Sequence, residues 1–270
     1  MIVISSQIDL RQLALIINLP CDGYDQRRAP TGTPELSSAP LDCTICPVRH
    51  LSAFKSLEPE LVDLVNDQKR SNLYRKGQIV FYEGNPSYGL FCLNSGRVKL
   101  FKTTAEGKRL TLRIAEPGDQ LGYLSLLSGQ PYSASAEALE DSVICFIDRK
   151  IIYPILSEQK DVSWAILQNL AKEMIVAQDR AIDIAHRSVR ERMAGLLLLL
   201  KVKYGREHEE GMLLDLKLSR SELADLIGIS EETAVRVLTD FREELLIRDQ
   251  NRQILILAQE KLSDIAGFLD

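Results

Sequence analysis

The stretch from Leu218 to Arg242, LSRSELADLIGISEETAVRVLTDFR, carries the signals of two short helices joined by a tight turn. Ser219 and Glu222 have capping-box spacing, in which a hydroxyl and a carboxylate satisfy backbone N–H groups where a helix begins. Gly228 can end that helix in the left-handed region, and Ser230 suits the N-cap of a second helix. A small residue, a glycine four positions later and a capped second helix predict a helix-turn-helix rather than a generic αα-hairpin.

The second helix of this motif has side chains suited to reading DNA. A recognition helix contacts base edges in the major groove with residues near its N-terminal half. Arginine there can donate two hydrogen bonds to guanine, and glutamate can accept one from cytosine. Glutamates also complement the dipole at a helix start, which is the preferred explanation for Glu231. The predicted DNA-facing residues are Ser230, Glu231, Glu232, Thr233, Val235, Arg236 and Thr239.

The sequence around the motif predicts a winged helix. Residues 188–203 are typical of a helix, residues 212–218 of a short strand, and residues 247–248 and 253–257 of a hairpin. From Arg187 to the C-terminus there are 13 Lys and Arg against 16 Asp and Glu, a net charge of −3. Specific DNA binding by such a segment requires that its cations be grouped on one face.

A long helix is predicted before the winged helix, from about Val162 to Ser188. Its apolar residues recur at alternating steps of three and four, which is an a/d heptad pattern. The stripe is narrower than that of most globular helices and so favours a helix–helix partner, although packing on its own domain is the alternative. The predicted homodimer seam consists of Leu167, Leu170, Met174, Ala177, Ala181 and Ile184.

The first half of the chain predicts a β-rich domain. Short β-branched and aromatic runs alternate with Gly, Pro and Asn turns at a spacing typical of an antiparallel sandwich or roll. The predicted strands are 79–82, 90–93, 98–102, 110–115, 133–139 and 143–147, preceded by a helix over 56–67. The expected domains are an extension (1–52), a β-roll sensor (53–160), a dimerisation helix (161–187) and a winged helix (188–270).

Length and composition limit the possible classes of protein. The 270 residues suggest about two domains, and 45% hydrophobic with 26% charged residues is an ordinary globular balance. The longest apolar run, Leu196–Leu200, is far shorter than the roughly 20 residues of a membrane span, so no membrane partner is expected. No secretory signal begins the chain, which makes the cytoplasm the expected location. No P-loop, dinucleotide fingerprint or catalytic triad motif is present, so an enzyme is not expected.

The order of β-roll, long heptad helix and winged helix resembles the Crp/Fnr family of bacterial transcription regulators. The most specific part of the resemblance is Ile229–Arg236, ISEETAVR. It implies an α+β fold with a cyclic-nucleotide-binding-like jelly roll, and a homodimer on near-palindromic double-stranded DNA, with RNA polymerase as a further partner. It also implies that Glu232 and Arg236 read a guanine–adenine step in each half-site. A ligand-binding module without DNA binding is a distant alternative.

The resemblance also bears on cyclic AMP. In the cyclic-nucleotide-binding branch, a glutamate holds the ribose and an arginine pairs with the phosphate. The matching positions here are Tyr123 and Tyr132. Because burying a phosphate without a cation is costly, no binding of cyclic AMP is expected.

The five cysteines suggest a different signal. An odd number of cysteines in a reducing compartment argues against a disulfide framework. The Fnr branch holds a [4Fe–4S] cluster on three N-terminal cysteines and one in the roll. Cys43, Cys46 and Cys145 match three of these ligands, whereas the remaining position is Ser52, and Cys21 is the expected fourth ligand.

Several alternatives stay open for these cysteines. Cys92 is a poorer ligand candidate, because it lies inside a predicted strand. Zinc binding, a thiol switch between Cys43 and Cys46, and purely structural cysteines are alternatives to an iron–sulfur cluster. A regulator without a metal centre would respond to an unknown small molecule in the roll, or act constitutively.

Overall fold

The computed structural model describes residues 41–250 and 253–267. These residues form two compact units, with residues 41–102 and 114–171 in one and the remainder in the other. Cys21 and the rest of the N-terminal segment lie outside the described residues. No helix in the described part of the chain is both long and apolar enough to cross a membrane.

The first unit contains most of a β-roll that consists of two four-stranded sheets. In chain order the strands are β1 (Arg70–Tyr74), β2 (Ile79–Phe81), β3 (Gly89–Ser95), β4 (Val98–Thr103), β5 (Arg109–Ala115), β6 (Gln120–Leu121), β7 (Ser135–Ala138) and β8 (Ser142–Asp148). One sheet has the order β1-β8-β3-β6 and the other β2-β7-β4-β5. The pairings β1-β8, β8-β3, β3-β6, β2-β7 and β7-β4 are antiparallel. Leu93, Val98, Ala136 and Ile144 are buried in their shared core. The predicted antiparallel roll is confirmed.

Short helices cover one end of the roll. Two 3-10 turns, Arg49–Leu51 and Ala53–Ser56, lead into α1 (Pro59–Gln68), and α2 (Tyr123–Ser128) and α3 (Arg149–Glu158) follow later. The predicted helix over 56–67 starts instead at Pro59, where the fixed φ of proline suits the first helical position. These segments bury Phe54, Val62, Ile152 and Ile155 in a second core.

Two long helices follow the roll. The first, α4 (Lys160–His186), is 27 residues long and buries Val162 and Ile166 at its start. The second, α5 (Val189–Tyr204), begins with a capping box of Ser188 and Glu191. The leucine run Leu196–Leu200 is buried all round the helix, so α5 is the central helix of the C-terminal core.

The C-terminal unit is a winged helix. Its elements are β9 (Gly205–His208), β10 (Gly211–Leu214), α6 (Arg220–Ile227), α7 (Glu231–Glu243), β11 (Ile247–Gln250), β12 (Gln253–Ile256) and α8 (Gln259–Ala266). The sheet has the order β11-β12-β10-β9, so the predicted hairpin belongs to a larger sheet. Gly211 allows the close approach of β12, since a Cβ there would lie 2.1 Å from the Ile256 carbonyl oxygen.

Candidate functional site

The turn between α6 and α7 has the geometry that the sequence predicts. The Ser219 side chain accepts a hydrogen bond from the Glu222 amide at 3.1 Å, and the Glu222 carboxylate accepts one from the Ser219 amide at 2.6 Å. Gly228 ends α6 at φ 69°, a conformation in which an L side chain is strained. Ser230 caps α7 by accepting from the Thr233 amide at 3.2 Å.

The two faces of α7 differ in burial. Ala234, Val237, Leu238 and Phe241 are buried in the core of the unit. Of the predicted DNA-facing residues, the exposed ones are Ser230, Glu231, Glu232, Val235 and Arg236. Thr233 and Thr239 are half-buried, and the Thr239 hydroxyl donates to the Val235 carbonyl at 2.9 Å. One exposed face of α7 therefore collects most of the predicted residues.

Arg236 differs from the other arginines around α7. Arg242 and Arg220 both pair with Asp249, Arg242 at 2.7 Å, and Arg248 pairs with Glu210 at 2.7 Å. Within the described residues Arg236 has no hydrogen bond or ion pair, and the same holds for Glu232. Contact with a ligand by these two side chains would therefore break no intramolecular pair.

Two arginines outside the helix-turn-helix hold the end of α6. Arg180 on α4 donates to the carbonyls of Leu226 and Leu112, and Arg192 on α5 donates to the Ile227 carbonyl at 2.7 Å. The last carbonyls of a helix have no intrahelical partner and attract cations. Burial lowers the pKa of the Arg180 guanidinium. Sequence reasoning missed these contacts, because a backbone acceptor leaves no signature in the sequence.

Beyond its first turns, α4 exposes apolar side chains. Leu167, Met174 and Ile184 from the predicted seam are exposed, as are Ala177 and Ala181, whereas Leu170 is half-buried against the roll core. Three further large side chains outside that set are also exposed, namely Trp164, Ile175 and Ile182. The exposed apolar face of α4 is therefore rotated slightly about the helix axis relative to the predicted seam, away from Leu170 and towards Trp164 and Ile182. Large exposed apolar patches on a helix mark interaction surfaces.

Four cysteines line one cavity in the roll unit. The cavity has a volume of about 70 Å³ and is bordered by Cys43, Cys46, Cys92 and Cys145. Its other walls are mostly apolar, with Lys69 and Asn94 among the few polar groups. The structure therefore brings together three predicted ligands, and adds Cys92, which its strand position had made the poorer candidate.

Hydrogen bonds fix the positions of these cysteines. The Cys43 amide donates to the Asn66 side chain at 2.8 Å, and the Asn94 side chain donates to the Cys46 sulfur at 3.5 Å. The hydroxyl of Ser71 lies 3.3 Å from the Cys145 sulfur. Hydrogen bonds to cysteine sulfurs are among the features that tune a metal–thiolate centre.

Burial opposes ionisation of the thiols at the cavity. Burial raises the pKa of the Cys43 and Cys145 thiols and places that of Cys92 well above its ordinary value, while Lys69 partly opposes the shift at Cys43 and Cys145. A bound metal replaces such protons. In the described part of the chain no three His, Cys, Asp or Glu side chains are grouped closely enough to hold a single ion. The donors at the cavity are cysteine sulfurs, the type of ligand that iron–sulfur clusters take.

Ser52 has a structural role at the position where the Fnr branch has a third N-terminal cysteine. Its hydroxyl donates to the Arg49 carbonyl at 2.7 Å and accepts from the Phe54 amide at 3.1 Å. It thereby caps the second 3-10 turn, Ala53–Ser56. A hydroxyl engaged in this way is a poor metal ligand.

The positions that would hold a cyclic nucleotide contain buried tyrosines. Tyr132 stacks on Phe81 with ring centroids 4.2 Å apart, and its hydroxyl donates to the Gly89 carbonyl at 3.2 Å. Tyr123 is buried in the core beneath the covering helices. Burial raises the pKa of the Tyr132 hydroxyl. A phenol carries no positive charge in either of its protonation states, so this position supplies no cation for a phosphate.

The sequence matches two family profiles. Residues 72–159 match the cyclic nucleotide-binding domain, and residues 191–265 match the Crp-like helix-turn-helix domain. The cyclic AMP receptor protein of Thermus thermophilus is 32% identical over 195 residues, which cover 72% of this chain and 87% of that protein. This chain belongs to the Crp/Fnr family. It is a DNA-binding transcription regulator and not an enzyme.

Other family members support the same assignment. A cAMP-activated global transcriptional regulator of Mycobacterium tuberculosis is 27% identical over 78% of this chain and 94% of its own length. The transcriptional activator protein anr of Pseudomonas aeruginosa is 26% identical over 84% and 91%. A Crp/Fnr family structure from Thermus thermophilus has a TM-score of 0.59 at 27% identity, covering 73% of this chain and 98% of that one. The predicted family and fold class are confirmed.

Proposed function

We propose that this Crp/Fnr family member is a homodimeric, redox-responsive regulator whose α7 reads a near-palindromic operator. In this proposal α7 enters the major groove, where Arg236 contacts guanine and Glu232 the neighbouring base pair. The observation that carries the proposal is that both side chains are exposed and without an intramolecular partner in the described residues. The protein would act in the cytoplasm, together with RNA polymerase.

The dimer would form through the exposed apolar face of α4. Each copy contributes Leu167, Met174 and Ala181 from the heptad pattern, together with Trp164 and Ile182. Trp164 and Met174 are 63% and 62% exposed in the single chain, so pairing two copies of α4 would remove much apolar surface from water. Two recognition helices would then lie about one DNA turn apart.

The signal would be received by a cysteine-liganded metal centre in the roll. Cys43, Cys46 and Cys145 supply three ligands, for which their shared cavity is the support, and the sequence nominates Cys21 as the fourth. Cyclic AMP is not part of the proposal, because Tyr132 offers no cation for its phosphate. A change at the centre would shift the protein between two states with different DNA affinity.

The DNA-reading part of the proposal is tested with Arg236→Ala. Losing a bidentate guanine contact should cost about 1–3 kcal/mol in each half-site and relax discrimination at that base. Anisotropy titrations would compare a selected operator with the same site changed at the guanine. Lys261→Ala is the matched control, since Lys261 is an exposed cation on α8 of the same unit without a partner in the described residues.

The two variants separate the possible outcomes. We expect Arg236→Ala to bind both DNAs with nearly equal affinity, and Lys261→Ala to keep the discrimination of the wild type. Unchanged discrimination by Arg236→Ala would show that α7 does not read the operator through this residue.

A further inference from the structure

We infer that Cys92 is the fourth thiolate ligand, beside Cys43, Cys46 and Cys145, of an iron–sulfur cluster bound in the roll cavity. This inference rests on the proposed metal-responsive function and replaces Cys21 in the ligand set. It assigns a role to the one cysteine of the cavity that the sequence pattern leaves out.

The strand register places Cys92 beside Cys145. These two residues are direct partners in the antiparallel pairing of β3 and β8. Directly opposed residues point to the same face of a sheet, with Cβ atoms about 4.5–5.5 Å apart. The neighbours Phe91 and Leu93 belong to the inner core of the roll, whereas Cys92 packs with the core under the covering helices. Both cysteines therefore face the cavity from one pair of strands.

The other two cysteines approach the same cavity from the segment before α1. Asn94 lies two residues after Cys92 and donates to the Cys46 sulfur at 3.5 Å. Asn66 on α1 accepts from the Cys43 amide at 2.8 Å. The Cys-x-x-Cys segment is thus tied both to the Cys92 end of β3 and to the adjacent helix. Four thiols from three parts of the fold surround one space.

The size of that space favours a cluster over a single ion. Four sulfurs around one zinc lie about 3.8 Å apart, given Zn–S bonds of about 2.3 Å. No such close group of three ligands occurs among the described residues. The cavity of about 70 Å³ is several times the space that one water needs. A four-iron cluster spaces its thiolates more widely, and Lys69 at the cavity wall offsets part of their negative charge.

The alternative ligands are weaker on structural grounds. The Ser52 hydroxyl already caps a 3-10 turn, and oxygen ligands to such clusters are uncommon. The chain contains five cysteines, so removing Cys21 leaves the four of the cavity and no other. Cys21→Ser is therefore a decisive variant, because it leaves all four cysteines of the cavity in place.

The test measures iron, sulfide and the visible spectrum of the full-length chain after anaerobic reconstitution with ferrous iron and sulfide. We expect wild type and Cys21→Ser to hold about four irons per chain with the same spectrum. Cys92→Ser and Cys92→Ala should lose most of this iron while keeping the far-UV circular dichroism of the wild type. The Ser52→Ala control should keep its iron, because that hydroxyl is not a ligand.

A rescue variant makes the ligand role specific. In Cys92→Ser combined with Ser52→Cys, a fourth thiol returns to the cavity wall at another lining position, and part of the iron should return with it. The inference is overturned if Cys21→Ser loses the cluster, or if folded Cys92 variants keep it. Should the Cys92 variants fail to fold, the iron content of Cys21→Ser alone decides between Cys21 and Cys92 as the fourth ligand. Wild type that takes up no iron, or only zinc, would instead refute the proposed iron-based signal, leaving the DNA-reading test with Arg236→Ala unaffected.

Discussion

Replacing Arg180 by alanine should destabilise the C-terminal unit, although no residue of the helix-turn-helix is changed. The guanidinium donates to two backbone carbonyls, those of Leu112 and Leu226. The Leu226 carbonyl belongs to the last turn of α6, where no amide of the helix can pair with it. Arg180→Ala leaves both acceptors without this partner.

The expected loss follows from the number of contacts. A hydrogen bond to a charged group contributes about 1.5–3 kcal/mol, so two contribute about 3–6 kcal/mol. The alanine variant also avoids the cost of burying a guanidinium, the same cost that lowers the pKa of Arg180. We therefore expect a net loss of about 2–4 kcal/mol. Arg180→Lys should fall in between, because an ammonium lacks the planar fork that reaches two acceptors.

Urea denaturation, followed by circular dichroism, measures this loss directly, and hydrogen exchange locates it. Exchange should accelerate at Gly228 and Ile229, which follow the released end of α6. Lys172→Ala is the matched control, since Lys172 is an exposed cation on the same helix and should change stability by less than about 0.5 kcal/mol. If Arg180→Ala lost less than about 0.5 kcal/mol of stability, as the control should, the Arg180 hydrogen bonds would not hold the end of α6 in place.

Two further predictions concern the dimer and the roll. Ile182→Asp should weaken dimerisation at least about 100-fold, because two like charges would be buried together. Sedimentation at micromolar concentration measures this, with Lys172→Asp as the control outside the exposed apolar face. An intact Ile182→Asp dimer would exclude Ile182 from the interface. Calorimetric titration with cyclic AMP should show no saturable heat of binding. A micromolar affinity would contradict the inference that Tyr132 leaves the phosphate without a cation.

The parts of the fold that the sequence predicts correctly are those with local signals. Capping residues and Gly228 mark both helices of the DNA-reading motif, and turn residues separate the strands of the roll. Local signals do not predict helix α3, because Pro154 lies inside it and a proline ordinarily indicates that a helix does not continue. They do not predict strand β9 either, because its sequence, GREH, has no apolar alternation and depends on pairing with β10.

The candidate sites divide in the same way. The exposed face of α7 follows from helical periodicity, so residues such as Arg236 can be named from sequence alone. The pairing of Cys92 with Cys145 depends on which strands of the roll are neighbours, and no local pattern encodes that register. The Arg180 contact depends on two carbonyls far away in the chain. Sequence therefore predicts surfaces better than it predicts the groups that meet in the interior.

The charge distribution of the C-terminal unit limits how it can bind DNA. The segment from Arg187 onward has a net charge of −3, and Arg220, Arg242 and Arg248 are held in ion pairs with acidic residues of the same unit. Within the described residues, most cations of this segment already have an ion-pair or hydrogen-bond partner. Sequence-independent affinity should therefore be low, and its dependence on salt shallow. Under the proposed function, discrimination between DNA sites would then depend mainly on base contacts from α7. In the proposed dimer, two half-sites would add their binding free energies and so raise the occupancy of the operator. A signal that re-aims one recognition helix relative to the other would then remove most of that gain.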